Sequence, residues 1–184
     1  MRHKGIRAIG MVGFILSVVA ALVLASEDKY AVKVPGGLAF SEFRGYETWQ
    51  TISVSRNEKV MDVILGNPQM IDAYQAGFPG NGKPAPDGAK MAKIHWSPKT
   101  SEFFPQAIVP GKLVNVDFMV KDSKRFAAGG GWGYAVFDYD AASDSFKPGT
   151  TTDTPPQGND AKCGFACHTT AKARDYVFTD YGRW

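Results

Sequence analysis

Apolar and polar residues alternate in several short stretches of the chain, and this alternation predicts β-strands. Apolar residues at helical spacing predict a short helix over 38–49. Pro68, just after the break at Gly66-Asn67, predicts a second helix that runs to Ala76 and stops at Gly77. We also predict a helical turn over 122–127. The predicted strands cover residues 49–55, 59–65, 89–97, 113–120 and 132–139.

These elements predict the α+β class, with a mainly antiparallel sheet and a few short helices. Residues 77–88 are rich in Gly, Pro, Asn and Asp and are predicted to form a loop. Residues 140–162 are rich in Pro, Gly, Thr, Ser and Asp, and we predict a long irregular segment there. The aromatic end of the chain, 175–184, is expected to pack on the body of the domain.

Two predicted strands carry chemically mixed faces. In the strand over 89–97, Lys93 shares a face with Met91 and His95. The strand over 113–120 has an apolar face, predicted to lie in the core, and a mixed face. The apolar face consists of Val114, Val116, Phe118 and Val120, and the mixed face of Leu113, Asn115, Asp117 and Met119.

The first residues have the pattern of a secretory signal peptide. Arg2, Lys4 and Arg7 precede an apolar run over 8–24, and small residues offer a cleavage site near Ala25. We therefore expect a signal peptide over 1–25 and one domain over 26–184, exported to the periplasm. Retention of the apolar run as an N-terminal anchor is the alternative, and it would leave the domain in the same compartment.

The charge balance gives no indication of nucleic-acid binding. The formal net charge is +3, and the predicted signal peptide contains three basic residues and no acidic one. The exported domain is therefore formally neutral. We expect no nucleic-acid partner and no binding to an anionic membrane.

Both cysteines of the chain lie in one short motif, Cys163-Gly164-Phe165-Ala166-Cys167-His168. Two thiols followed by a histidine are typical of c-type haem attachment, in which the histidine is an iron ligand. The spacing here is three residues between the cysteines rather than two, and Gly164 gives the longer loop its freedom. We predict one covalent haem c on Cys163 and Cys167, with His168 on the iron. A zinc site, a local disulfide and a Cys-His nucleophile are the weaker alternatives.

The ligand on the other side of the iron would decide the class of haem protein. None of the candidate methionines, Met61, Met70, Met91 and Met119, lies in a loop rich in Pro and Gly. Met91 and Met119 lie on predicted strands, where a role in the core or in a pocket wall is expected. An open distal position is therefore predicted, which favours ligand binding or catalysis over electron transfer alone.

Four stretches of the chain form a recognisable set. They are Asp87-Gly88 followed by Lys93, the stretch from Val120 to Phe126, the haem motif, and the stretch from Asp175 to Thr179. In these stretches the sequence resembles the cytochrome P-460 family, which also includes the cytochromes c′-beta. The resemblance implies that Lys93 is the lysine that this family joins covalently to a haem meso carbon. It also implies that Asp117 occupies the place of a distal carboxylate that accepts protons, where the family usually has the longer glutamate.

The same resemblance implies hydroxylamine oxidation, with electrons passed to an external acceptor such as another cytochrome. A homodimer is implied as well. The alternative within the family is a gas-binding protein of the c′-beta type, which takes up nitric oxide or carbon monoxide and turns nothing over. A plain electron carrier is the third possibility.

Several residues keep a second interpretation at this stage. Lys93 fits an exposed strand lysine, Asp117 fits a sheet-edge or interface charge, and His95 fits either a distal group or a structural histidine. Arg125 is predicted to contact a haem propionate or an acidic partner, because its planar guanidinium suits carboxylates. The aromatic residues Phe103, Phe104, Trp132 and Tyr134 would line the pocket or, as is more common, pack in the core.

Overall fold

A computed structural model of the chain describes residues 28–36, 38–151 and 164–183. Outside these residues lie the predicted signal peptide, Cys163 and residues 152–162 of the predicted irregular segment. Among the helices of the described ranges, none has the length and apolar character needed to cross a membrane.

The described residues form one six-stranded antiparallel sheet in which the strands follow each other in chain order. This architecture confirms the predicted fold class. All five predicted strands are present, three of them with small shifts at their ends. The strands are β1 (Gln50–Arg56), β2 (Met61–Gly66), β3 (Lys90–Thr100), β4 (Ile108–Lys121), β5 (Trp132–Asp140) and β6 (Ser145–Pro148).

The sheet differs from the prediction at two places. β6 was not predicted, since it lies in the stretch assigned to an irregular segment, and it pairs with the end of β5. β3 and β4 extend beyond their predicted limits into a long hairpin, although each contains a proline. Pro98 and Pro110 lie opposite each other next to a shift in register, where a residue without an N–H group is tolerated.

The helices are short. α1 (Pro68–Gln75) is confirmed close to its predicted bounds, and Asn67 caps it by accepting a hydrogen bond from the Met70 N–H at 3.1 Å. The predicted helix over 38–49 is wrong: the chain makes two 3₁₀ turns, Phe40–Phe43 and Tyr46–Thr48. Gly45 separates them with a φ of +82°, a conformation that ends the first turn.

The remaining helical segments lie near the ends of the sheet. Residues 123–126 form turns rather than a helix, and a 3₁₀ turn follows at Ala127–Gly129. Another 3₁₀ turn, Lys29–Ala31, begins the described chain. The haem motif contributes α2 (Phe165–His168), which continues into a 3₁₀ segment at Thr169–Arg174.

The two faces of the sheet are covered by different parts of the chain. Aromatic residues that precede β1 cover the first face, where the rings of Phe43 and Phe118 stack with centroids 4.1 Å apart. α1 and residues after α2 cover the second face, where Val177 is buried as expected for the C-terminal segment. Three of the four predicted core residues of β4 are buried on the first face, but Val114 is 46% exposed because it lies on the outer part of the long hairpin.

Candidate functional site

A cavity of about 160 Å³ lies between the second face of the sheet and α2. Four of the residues singled out in the sequence line it together, although they are far apart in the chain. They are Lys93 on β3, Asp117 on β4, and Cys167 and His168 on α2. The space that protein atoms leave unfilled, including the open mouth, is about 760 Å³.

His168 is held in one orientation. Its Nδ1 atom lies 2.6 Å from the backbone carbonyl oxygen of Tyr176, which can only accept, so this nitrogen carries the proton. The lone pair therefore lies on Nε2, the tautomer required of a histidine that binds a metal through Nε2. The ring lies between those of Tyr134 and Phe178, with centroids 5.1 and 5.0 Å away.

The carbonyl group that orients His168 belongs to a firmly anchored segment. Asp175 and Tyr176 both adopt positive φ angles, of 50° and 64°. The Asp175 carboxylate pairs with the buried Lys121 ammonium group at 2.7 Å and accepts a hydrogen bond from the Ala85 N–H at 2.9 Å. The Trp132 indole donates to the Asp175 carbonyl oxygen at 2.8 Å. These contacts fix the backbone that carries the histidine's partner.

Lys93 and Asp117 come from neighbouring strands and lie directly opposite each other in the register of β3 and β4. The Lys93 side chain is about one-third exposed (33%), and its Nζ atom lies 3.3 Å from Asp62 Oδ2. The Asp117 side chain is mostly buried. A cationic and an anionic side chain therefore stand next to each other on the wall of the cavity.

Beside this wall, on the same face of the sheet, lies a charged cluster that includes His95. Its Nε2 atom lies 3.0 Å from Asp117 Oδ2, and its Nδ1 atom lies 2.8 Å from Asp62 Oδ1. His95 and Asp62 are both buried. Asn115 donates to the second oxygen of Asp117. His95 is not among the residues that line the cavity, so it contacts the wall carboxylate from beside the cavity.

Asp62 is the residue of this cluster that sequence reasoning missed. It lies in a strand that was predicted, but its position there looks like an ordinary polar one. The signal lies in the pairing of β2 with β3, which places Asp62 directly opposite His95. That register becomes known only with the three-dimensional structure.

The rest of the cavity wall is largely apolar and includes Ile64, Met91, Met119, Val177 and Phe178. Met91 and Met119 therefore line the pocket, one of the two roles expected for them. Tyr134 adds a hydroxyl group. Burial raises the pKa of Tyr134 above its ordinary value, so this hydroxyl group stays protonated at neutral pH.

Other candidate residues lie elsewhere. Arg125 pairs with Glu42 of the same chain at 2.9 Å and does not line the cavity. Phe103 and Phe104 are 97% and 60% exposed, so the expectation that they line the pocket or pack in the core is wrong. Both lie at the tip of the long β3–β4 hairpin. Trp132 is fully buried.

Comparison with known proteins decides the family. The model of the family Cytochrome P460 matches residues 43–179, a range that contains all six strands, α1, α2 and the cavity. The chain belongs to the cytochrome P460 family. A comparison with curated proteins finds no match.

Membership of the cytochrome P460 family implies a haem c, and the residues present fit that group. Cys167 offers a thiol and His168 a correctly protonated imidazole on one side of the cavity. The apolar walls suit a porphyrin ring. The enclosed space is similar to that of an engineered cavity of about 150 Å³ that binds benzene. A haem would therefore also need the open space at the mouth.

Proposed function

We propose that this cytochrome P460 is an exported mono-haem protein that oxidises hydroxylamine, or a related small nitrogen compound, to a nitrogen oxide. Cys163, Cys167 and His168 would hold the haem. The observation that supports this proposal is the meeting of Asp117 and Lys93 with His168 in one cavity. A mostly buried carboxylate in the same cavity as a histidine suited to bind iron could remove protons from a bound substrate.

When bound, the haem would supply the iron that takes electrons from the substrate. The chain itself would supply the proton acceptor. Each N–H or O–H bond that is oxidised releases a proton with its electron, and Asp117 is the anionic group on the cavity wall that can take it. The apolar residues around it would limit the access of water, which strengthens electrostatic interactions inside the cavity.

Asp117 allows a direct test with the purified haem protein and an added electron acceptor. We expect Asp117→Asn to lower kcat for hydroxylamine oxidation by roughly 10²–10⁴-fold, the usual range for loss of a general base. Asp117→Glu restores a carboxylate and should keep substantial activity. Asp72→Asn, an exposed change on α1, is the control. Complete inactivity of the unaltered haem protein with several acceptors would overturn the proposed function.

Lys93 is proposed to form the covalent bond to the haem that the family resemblance implies. Its place in the wall of the cavity that Cys167 and His168 also line supports this bond. Trypsin cannot cleave after a lysine whose amine is blocked. We therefore expect a haem-bearing tryptic peptide that contains both residues 91–99 and the haem motif.

The control for this bond is Lys93→Arg, which should give a haem peptide with the motif alone and an ordinary c-type spectrum in the ferrous state. An unaltered chain that yields the same single-segment peptide would contradict the cross-link. Hydroxylamine oxidation would then have to be tested without it.

A second candidate function is the binding of nitric oxide or carbon monoxide without turnover. The observation that favours it is the largely apolar lining of the cavity, which suits a small uncharged gas. Such a protein would show an ordinary ferrous c-type spectrum that shifts on addition of carbon monoxide, and no oxidation of hydroxylamine. A low-spin spectrum with two protein ligands, unchanged by either gas, would indicate an electron carrier instead.

The cellular setting is part of the proposal. The pattern of residues 1–25 supports export to the periplasm, where haem would be attached to both cysteines. Electrons from the substrate would pass to an external acceptor such as another cytochrome. The family resemblance supports a homodimer.

A further inference from the structure

We propose that His95 and Asp62 form a proton relay that carries protons from Asp117 to the surface beside β1. The proposal rests on the proposed function for the source of the protons, and on the geometry of the cluster for their path. His95 lies between two carboxylates on different strands, within 3.0 Å of one and 2.8 Å of the other. One of these carboxylates lines the cavity and the other does not.

Strand pairing builds this path. His95 lies opposite Asp62 of β2 on one side and opposite Asn115 of β4 on the other, with Asp117 two residues further along β4. Directly opposed and diagonal residues on one face of a sheet are within reach of long side chains. The three groups therefore form a row across three strands, and the row runs from the cavity toward the edge strand β1.

The outer end of the row reaches solvent. Asp62 Oδ2 accepts a hydrogen bond from the Ser55 hydroxyl group at 3.1 Å, and Ser55 is exposed on β1. The path therefore has a protected inner end at Asp117 and an open outer end at Ser55.

The hydrogen bonds of the row are incomplete at one oxygen atom of Asp62. Asp62 Oδ1 is buried and has no well-directed hydrogen bond, although His95 Nδ1 lies 2.8 Å away. The distance is that of an ion pair, but the direction is not that of a formed hydrogen bond. A buried carboxylate oxygen without a donor is costly, so Asp62 Oδ1 is a favourable acceptor for a transferred proton.

The transfer needs no electrons and conserves protons. Asp117, protonated by the substrate, gives its proton to His95 Nε2 while Nδ1 carries one already. The resulting imidazolium releases the Nδ1 proton to Asp62 Oδ1, and Asp62 passes it to water near Ser55. The imidazole is left with its proton on Nε2, and exchange of that proton to Nδ1 prepares the ring for the next transfer. Histidine suits this role because it can accept at one nitrogen while it donates from the other.

Charged groups lie near His95 on both strands that flank β3, which are β2 and β4. Asp62 and Asp117 contact it directly, and Lys93 contacts Asp62 at 3.3 Å. Asp138 of β5 lies opposite Asn115, one strand further away.

The alternative role for His95 and Asp62 is structural, and the experiment separates the two. Asp62→Asn and His95→Gln keep size and hydrogen bonding but cannot carry a proton. In the haem-loaded protein we expect each to lower kcat for hydroxylamine oxidation at least roughly tenfold, with KM changed less than twofold. We also expect a larger solvent deuterium isotope effect on kcat, whereas Asp72→Asn should change none of these values.

A second measurement does not depend on turnover. Reduction of the iron adds negative charge near the cavity, so the haem midpoint potential should depend on pH while the row takes up a proton. We expect this dependence to be lost or displaced in Asp62→Asn and His95→Gln. Asp62→Glu should restore it, since it returns a carboxylate to the row.

The outcomes distinguish the relay from the proposed function. If the unaltered protein does not oxidise hydroxylamine, the proposed function fails, and the midpoint potentials alone decide the relay. The relay proposal is overturned if the variants have the same kcat, the same solvent isotope effect and the same pH dependence of the midpoint potential as the unaltered protein. Haem content and thermal midpoint are recorded for each variant. If one variant does not fold, the other two substitutions give the result.

Discussion

Neighbouring residues of β4 face opposite sides of the sheet and serve different purposes. Phe118 packs among the aromatic residues of the first face, whereas Asp117 and Met119 line the cavity. Successive side chains of a strand point to opposite faces, so a shift by one residue would exchange core and cavity. At this scale, stability and function depend on different residues of one strand.

Phe43 provides a test of this separation. Its side chain is fully buried, and its ring lies nearly parallel to that of Phe118 on the face away from the cavity. Replacement of a buried phenylalanine by alanine removes apolar contacts and leaves a void. We expect Phe43→Ala to lower the free energy of unfolding by about 3–5 kcal/mol, measured by chemical denaturation of the haem-loaded protein.

The control for this change is Phe103→Ala, because Phe103 is 97% exposed. We expect its effect on the free energy of unfolding to stay within about 0.5 kcal/mol. Neither variant should change the haem absorption spectrum. An altered spectrum in Phe43→Ala would show that the two faces are coupled.

At the scale of elements, the segment after α2 connects the stability of the fold with the orientation of His168. Its anchor is the pair of Lys121 and Asp175, whose side chains are only 6% and 15% exposed. Gly130 approaches the same segment so closely that a Cβ atom there would lie 2.1 Å from the Tyr176 ring. The segment therefore fits one position on the sheet.

Asp175→Asn should damage this element. The change leaves the buried Lys121 ammonium group without its carboxylate, and loss of one partner of a buried pair costs about 3–5 kcal/mol. The Tyr176 carbonyl group should also move relative to His168, which would alter the visible spectrum of the haem. Thermal unfolding and absorption spectroscopy measure the two effects.

Asp180→Asn is the matched control, in the same segment. Asp180 pairs with Arg174 at the surface and is 81% exposed, so its loss should cost at most about 1 kcal/mol. Equal losses in the two variants would contradict the anchoring role of Lys121 and Asp175.

The elements also show what the sequence could predict. Five strands follow from alternation because each contains buried residues. β6 has only four residues, none of them buried, at the edge of the sheet, so it leaves no alternation to detect. The spacing over 38–49 does reflect burial of Phe40 and Phe43, but Gly45 turns the backbone and prevents a continuous helix.

Part of the candidate site was also predictable from the alternation of residues along the strands. Strand faces and family resemblance together indicate Lys93 and Asp117, and the structure places both on the cavity wall. Asp62 could not be found in this way, because its role depends on which residue of β3 lies opposite it. Local patterns determine which face a residue occupies, but the register between strands depends on the whole sheet.

At the scale of the whole molecule, the sheet is covered by its own chain on one face and carries the proposed haem site on the other. Aromatic side chains such as Phe40, Phe43 and Phe137 form the core on the first face. The second face retains a cavity between the sheet and α2. A group that fills it would stabilise the folded state through contacts that the unfolded chain lacks.

This asymmetry predicts how the chain behaves without haem. We expect a Cys163→Ala, Cys167→Ala double variant to keep the far-ultraviolet circular dichroism of a β-sheet, because the first face does not need the haem. Its thermal midpoint should fall, and hydrogen exchange should rise over 164–179 while β3, β4 and β5 stay protected. An unfolded variant would show that the haem is needed for the sheet to form at all. Unchanged exchange over 164–179 would show instead that Lys121 and Asp175 hold this segment by themselves, with His168 already positioned before haem is attached.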